Sequence, residues 1–269
     1  MLRRTRGHAF LYPMHAPPTV TPPPLDASSA LFLDVDGTLL EIAPRPELVR
    51  VPPELPEMLE QLARQRHGAL ALITGRTLAD LDRLFQPWRG AAAGVHGAER
   101  RRMDGSIVAE QPTEPDRIAA AALDRMRPKL ATLSDRWPGV WIEDKGRTVA
   151  LHYRAVPERG QEIRAAVTQV AQRESEALRP IAGKMVLELQ PSHRHKGAAI
   201  AAFLTEAPFR GRQPLFVGDD ATDEDGFAEV NRRGGVSVRV GPRTSDSVAG
   251  HQLPSVADVL NWLAAAAEG

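Results

Sequence analysis

The chain contains no cysteine. Disulfides, thiolate metal sites and cysteine nucleophiles are therefore excluded, and the composition fits a reducing cytosol. Net charge is also missing: 34 basic side chains balance 34 acidic ones among 269 residues. No global field recruits nucleic acid or an anionic membrane, although a local cationic pocket can still hold a small phosphorylated ligand. No apolar run reaches the length of about 18 residues that a spanning helix needs. The N-terminus is basic (Arg3, Arg4, Arg6), but Tyr12, Pro13 and His15 interrupt any signal-peptide core. A cytoplasmic protein without nucleic-acid or membrane partners is expected, and a monomer is the default. Internal repeats are absent too.

What remains is an ordinary globular composition, 42% apolar and 25% charged, long enough for one or two cores. Residues 1–27 carry two proline clusters, Pro17-Pro18 and Pro22-Pro23-Pro24, and read as an extended, disordered leader with Met14 as an alternative start. Ala30-Leu31-Phe32-Leu33 is a short apolar run fit for a buried parallel strand. A helical stripe follows over 54–66, through Leu55, Met58, Leu59 and Leu62. A second buried strand (69–73) and a helix (78–85) come next. The C-terminal part repeats this rhythm: helix 196–204, strand 214–217, helix 224–232, strand 235–240 and a last helix at 255–267. Alternating strands and helices predict a parallel sheet covered on both faces.

The middle differs. A helix (116–133), a hairpin around Gly146, a second helix (158–176) and a strand (184–189) form an α+β unit inserted into the α/β frame. The expected fold is α/β: a Rossmann-like parallel-sheet core over 28–104 and 191–269, with an inserted α+β cap over 105–190.

The chemistry concentrates at Asp34-Val35-Asp36-Gly37-Thr38. An apolar strand delivers two aspartates to its C-terminal end, where open α/β sheets bind ligands. Asp34 and Asp36 start on one side of the strand before Gly37 turns the chain. Adjacent carboxylates repel, and a hard dication is the usual remedy. One can attack phosphorus while the other moves a proton to the leaving oxygen. A plain turn-forming aspartate pair is the competing reading; the preceding strand and the following Gly-Thr argue against it.

At this point the sequence resembles the haloacid dehalogenase superfamily of phosphatases, whose first motif has this DxDGT form. The resemblance implies that Asp34 is nucleophile and magnesium ligand. It makes Asp36 the acid/base, with its main-chain carbonyl on the metal. Leu72-Ile73-Thr74-Gly75-Arg76 matches the second motif, Thr74 holding phosphoryl oxygens, and Lys196 matches the third-motif lysine. Gly218-Asp219-Asp220-Ala221-Thr222-Asp223-Glu224-Asp225 follows a buried strand with more carboxylate than a helix start explains. Asp219 is the expected third direct magnesium ligand, with Asp223 and Asp220 in the outer shell.

Within the superfamily the chain is most similar to trehalose-6-phosphate phosphatases, from about Leu31 to Ala249. The similarity lies in FLDVDGTLLEIAPRP (32–46), GVHGAE (94–99), WIEDKGRTVALHYR (141–154), KMVLELQP (184–191) and VGDDATDEDGF (217–227). Strand alternation over 184–189 sends Met185, Leu187 and Leu189 to a core face and Lys184, Val186 and Glu188 to the other. Trp141, Glu143 and Lys145 share a face, and Arg154 ends the return strand. Such a polar face suits a disaccharide and equally suits solvent. The resemblance favours the first, with Glu143, Lys145, Arg154, Lys184 and Glu188 as the cap's sugar-recognition set and Gly75, Arg76 and His96 beside them. A lid, magnesium and a sugar-phosphate substrate are what it implies.

Two departures stand out. His193-Arg194-His195 before Lys196 is more basic than the family pattern, and Arg100-Arg101-Arg102 reads as a solvated hinge cluster. The rival readings are a phosphatase of another sugar phosphate such as sucrose 6-phosphate, a non-catalytic sugar-phosphate-binding regulator, and a phosphotransferase or mutase.

Overall fold

The computed structural model describes residues 21–43, 48–108, 112–242 and 246–268. Residues 1–20 of the expected leader and 44–46 of the first family block lie outside them. In chain order, the first segment holds β1 (Ala30–Leu33), α1 (Leu55–Gln65), β2 (Leu70–Ile73), α2 (Leu78–Leu84), β3 (Ala91–Gly94) and β4 (Glu99–Arg101). The middle holds α3 (Glu114–Ser134), β5 (Trp141–Asp144), β6 (Val149–His152), α4 (Gly160–Glu174), β7 (Leu178–Gly183) and β8 (Val186–Pro191). The last holds α5 (Lys196–Phe203), β9 (Pro214–Gly218), α6 (Glu224–Arg232), β10 (Val236–Val240), β11 (His251–Leu253) and α7 (Val256–Glu268). Among the described residues no helix is long and apolar enough to cross a membrane.

The larger sheet has the order β11-β10-β9-β1-β2-β3-β4 and is parallel except for the β3–β4 pair. Helices cover both faces, so β1 is buried at every position and reads as an unbroken apolar run. Side chains alternate between two cores. Leu31, Leu33, Leu70 and Leu72 join Leu55, Leu59, Leu62 and Leu263 on one face. Phe32, Ala71, Ile73 and Phe216 meet Ile200, Phe203, Phe209 and Phe227 on the other. Phe32 stacks on Phe209 at 5.5 Å and tilts against Phe203 at 6.1 Å.

The smaller sheet is antiparallel, β5-β6-β8-β7. Leu151, Leu187 and Leu189 pack against Leu123, Met126 and Leu130 of α3 and Ile163, Val167 and Ala171 of α4. α3 starts from a capping box in which Thr113 and Asp116 satisfy each other's backbone N–H groups. The opposite sheet face looks onto the strand ends of the larger sheet, with Lys145, Lys184, Arg154 and Arg179 bonding Gly75, Asp219, Ala43 and Asp225 respectively.

Four expectations are corrected. Lys184 and Met185 are not strand residues: Gly183 pairs Val186, so they form the two-residue turn of the β7–β8 hairpin. Met185, at φ 63°, is consequently exposed and not core. β7 is not among the predicted strands; Pro180 within it is tolerated because β7 is an edge. Arg101 is buried, not solvated: its guanidinium bonds Asp82 at 2.5 Å and the Gly90 carbonyl at 3.0 Å. Arg100 and Arg102 both pair with Glu206. Finally, residues 21–27 touch the core: Leu25 packs on it and Trp262 donates to the Pro23 carbonyl at 3.2 Å.

Phe32→Ala removes an aromatic held by two others in a closed core, and is expected to cost about 3–5 kcal/mol. Urea denaturation followed by circular dichroism measures it.

Candidate active site

β1, β9 and the segment leading into α5 bring their ends together. Asp34 leaves β1, Asp219 leaves β9 and Lys196 opens α5. Parallel pairing of Leu33 with Val217 forces the first two side by side. Asp223 ends the 3₁₀ turn that follows Asp220. All four are buried. Lys196 Nζ donates to Asp34 Oδ1 at 2.6 Å and to Asp223 Oδ1 at 2.7 Å. Asp223 Oδ2 accepts the backbone N–H groups of Asp219 and Asp220, both at 3.0 Å.

Three buried carboxylates crowd one buried ammonium at the floor of a cleft. Acceptor atoms of Asp34, Asp219 and Asp223 all lie within 4.8 Å of one another. Burial, then the neighbouring charge of Asp223, raises the Asp34 carboxyl well above its ordinary range. The same causes push Asp219 up to about 6. Burial alone would lower Lys196, but Asp223 and Asp34 outweigh it and hold the ammonium charged. A carboxylate set this crowded suits a hard dication, which would relieve both repulsion and desolvation. Lys184 Nζ, from the cap turn, donates to Asp219 Oδ2 at 2.5 Å.

Gly37 sits at φ +84°, a region open to glycine, and a Cβ there would occupy the space of the Asp219 carboxylate. Thr38 Oγ1 donates to Asp34 Oδ2 at 3.3 Å. Asp36 points elsewhere: Arg76 clamps it through Nε (2.7 Å) and Nη2 (2.6 Å). Thr74 directly follows β2, and its Oγ1 accepts the Arg76 N–H at 3.1 Å, shaping the Gly75 loop. Asp220 caps the 3₁₀ turn through the Ala221 N–H.

A cavity of about 240 Å³ opens over this group, lined among others by Thr74, Gly75, Arg76, Glu143, Lys145 and Arg154. Its cap wall carries a buried ion network. Glu188 Oε2 lies 3.0 Å from His96 Nε2, and Oε1 accepts from Thr148 Oγ1 at 2.6 Å. Lys145 Nζ lies 3.6 Å from Glu188 and donates to the Gly75 carbonyl at 3.2 Å. Burial would raise Glu188, but His96 and Lys145 outweigh it and hold the carboxyl well below its ordinary range. His96 (φ 54°) and Val95 (φ 45°) both adopt left-handed backbone conformations, a local strain fixed by surrounding packing. Glu143 Oε2 lies 2.9 Å from His152 Nε2, and that hydrogen bond lowers its carboxyl.

The structure thus gathers Asp34, Asp219, Asp223 and Lys196 in one cluster. Thr74, Gly75, Arg76, His96, Glu143, Lys145, Arg154, Lys184 and Glu188 stand around the cavity. The Asp36 and Asp220 side chains make other bonds. His152 and Trp141 also line this cavity, Thr148 supports Glu188 through its hydroxyl, and none of the three is among the sequence-predicted site residues. Counting register from Gly146 places Thr148 and His152 on the face of Glu143 and Lys145, so the signal was present in the hairpin. The unusual basic lead-in has a structural cause. His193 Nε2 (2.8 Å) and Arg194 Nε (2.9 Å) meet Asp116 at the start of α3, and His195 Nδ1 caps α5 by accepting the Ala198 N–H at 3.2 Å.

Against known proteins, the trehalose-phosphatase family profile matches residues 32–257. A trehalose-6-phosphate phosphatase of Escherichia coli is 45% identical over 249 residues, covering 91% of this chain and 89% of that one. A probable trehalose-phosphate phosphatase of Sinorhizobium fredii is 44% identical over 237 residues, covering 88% and 86%. The solved C-terminal domain of Candida albicans trehalose-6-phosphate phosphatase superposes with TM-score 0.78 at 22% identity, over 91% of this chain and 98% of that one. That last likeness speaks for the fold, a haloacid dehalogenase core with a cap. The chain belongs to the trehalose-phosphatase family and is a phosphatase.

Gly37→Ala is expected to displace Asp219 and lower phosphate release by about 100-fold, the scale of a misplacement near 1 Å. Steady-state kinetics alongside thermal melting separates this from unfolding.

Proposed function

We propose that this phosphatase hydrolyses trehalose 6-phosphate to trehalose and phosphate through a phosphoryl-aspartate on Asp34, with magnesium as cofactor. The observation that carries the reading is the buried convergence of Asp34, Asp219, Asp223 and Lys196 beneath a polar cap wall. The names of relatives at 44–45% identity support the substrate.

In the first half-reaction one Asp34 oxygen attacks phosphorus and the bond from phosphorus to the sugar oxygen breaks. Asp36, both of whose oxygens accept from Arg76 in the resting site, leaves that pair, takes a proton from solvent and gives it to the leaving oxygen. Thr74 and the Gly75 loop hold phosphoryl oxygens, and Lys196 keeps its charge against Asp34 throughout. In the second half-reaction water attacks phosphorus, Asp36 takes its proton, and the bond from Asp34 to phosphorus breaks. Magnesium, held by Asp34, Asp219 and the Asp36 carbonyl with Asp220 and Asp223 around it, would supply positive charge to the phosphoryl oxygens. Residues 28–104 and 191–269 are the catalytic core in this reading. Residues 105–190 are a cap that excludes water and presents Glu143, Lys145, Arg154, Lys184 and Glu188 to the sugar, with His96 beside them.

Phosphate release from trehalose 6-phosphate, sucrose 6-phosphate and glucose 6-phosphate tests the substrate. Trehalose 6-phosphate should be preferred by at least about tenfold in kcat/KM. Equal turnover of either competitor would overturn the assignment. Chelation with EDTA should abolish activity and added magnesium restore it. Asp34→Asn should lose at least about 1,000-fold in kcat, the scale of losing a covalent nucleophile.

A further inference from the structure

Two cleft residues have no part in the reaction so far. His152 on β6 stands opposite Trp141 on β5, and their rings stack at 3.9 Å with an angle of only 5°. Both line the same cavity as Asp34. Trp141 is 44% exposed and contributes to none of the three cores. A large aromatic left open in a cleft is a contact surface awaiting an apolar face. A pyranose offers such a face through its ring C–H groups, with hydroxyls at the edge for a carboxylate.

The carboxylate is adjacent. Glu143 accepts from His152, and because a carboxylate only accepts, His152 Nε2 carries the hydrogen. Glu143 is thereby fixed in direction and kept ionised. Position along the cleft adds the next step. Lys145 reaches the Gly75 carbonyl next to Thr74, so its end of β5 is the phosphoryl end. A strand advances about 3.3 Å per residue, which puts Trp141 about 13 Å further along. Exposure rises in the same direction: the Lys145 side chain is 15% exposed, that of Glu143 32%, and Trp141 44%. Arg154, just beyond His152, bonds the Ala43 carbonyl and closes that outer end.

We propose that Trp141 and His152 form a distal subsite that reads the second sugar ring of a disaccharide phosphate. Trp141 is the apolar plate, and His152 is a positioning residue that aims Glu143 at the ring's hydroxyls. The inference rests on the disaccharide reading above. It predicts selectivity against monosaccharide phosphates, through contacts too far from phosphorus for a single ring to use.

The test compares trehalose 6-phosphate with glucose 6-phosphate in the wild type, Trp141→Ala, Trp141→Phe, His152→Ala and His152→Gln. Trp141→Ala should raise KM for trehalose 6-phosphate by about tenfold with kcat within about twofold, the pattern of lost ground-state binding. Its kcat/KM for glucose 6-phosphate should stay within about twofold of wild type. Trp141→Phe should recover most of the loss. His152→Ala should also act on KM, and His152→Gln, which restores a donor to Glu143, should rescue it. Equal losses for both substrates in Trp141→Ala, or an unchanged KM for trehalose 6-phosphate, would overturn the subsite. A wild type that favours glucose 6-phosphate would instead overturn the disaccharide reading, and the subsite with it.

Discussion

Three buried carboxylates around one ammonium are the constraint on which the rest of the structure depends. Asp34, Asp219 and Asp223, all buried, would not be kept this close without compensation. Lys196 supplies one positive charge from the N-terminus of α5. The backbone N–H groups of residues 219 and 220 supply two more dipoles. Adjacent parallel strands are needed to bring these groups together, and parallel strands need helices on both faces. The fold is in that sense the device that makes the cluster possible.

The cap answers the same constraint from the other side. Lys184 reaches down to Asp219, and Lys145 reaches the Gly75 loop. Glu188 has a charged environment of its own, with Lys145, His96 and Thr148 around it. Cap and core are therefore joined by charge-assisted contacts rather than by an apolar seam. Such a junction is separable in water more readily than a hydrophobic one, which suits a cleft that must admit a polar ligand.

Much of this was legible in the sequence, for identifiable reasons. β1 and β9 announce themselves as unbroken apolar runs, and the carboxylates at their ends follow directly. The helical spans of α1 and α6 follow from periodicity. What was not legible depends on pairing between distant segments. Arg101 looks solvated in an arginine triplet, yet Asp82 and Gly90 draw it inside. Pro180 lies within β7, where only edge position makes it acceptable. Alternation predicts a core face for Met185, and the two-residue turn between Gly183 and Val186 breaks that alternation. The clamp of Arg76 on Asp36 spans 40 positions and has no local signature.

In the proposed mechanism Asp34 takes the phosphoryl group. Enzyme turning over trehalose 6-phosphate with magnesium can be quenched in acid within one turnover, digested and weighed by mass spectrometry. A phosphoryl group on the peptide carrying Asp34, absent from the Asp34→Asn protein, is the predicted result. Hydrolysis with no phosphorylated enzyme at any quench time, or with the label on another residue, would contradict the account.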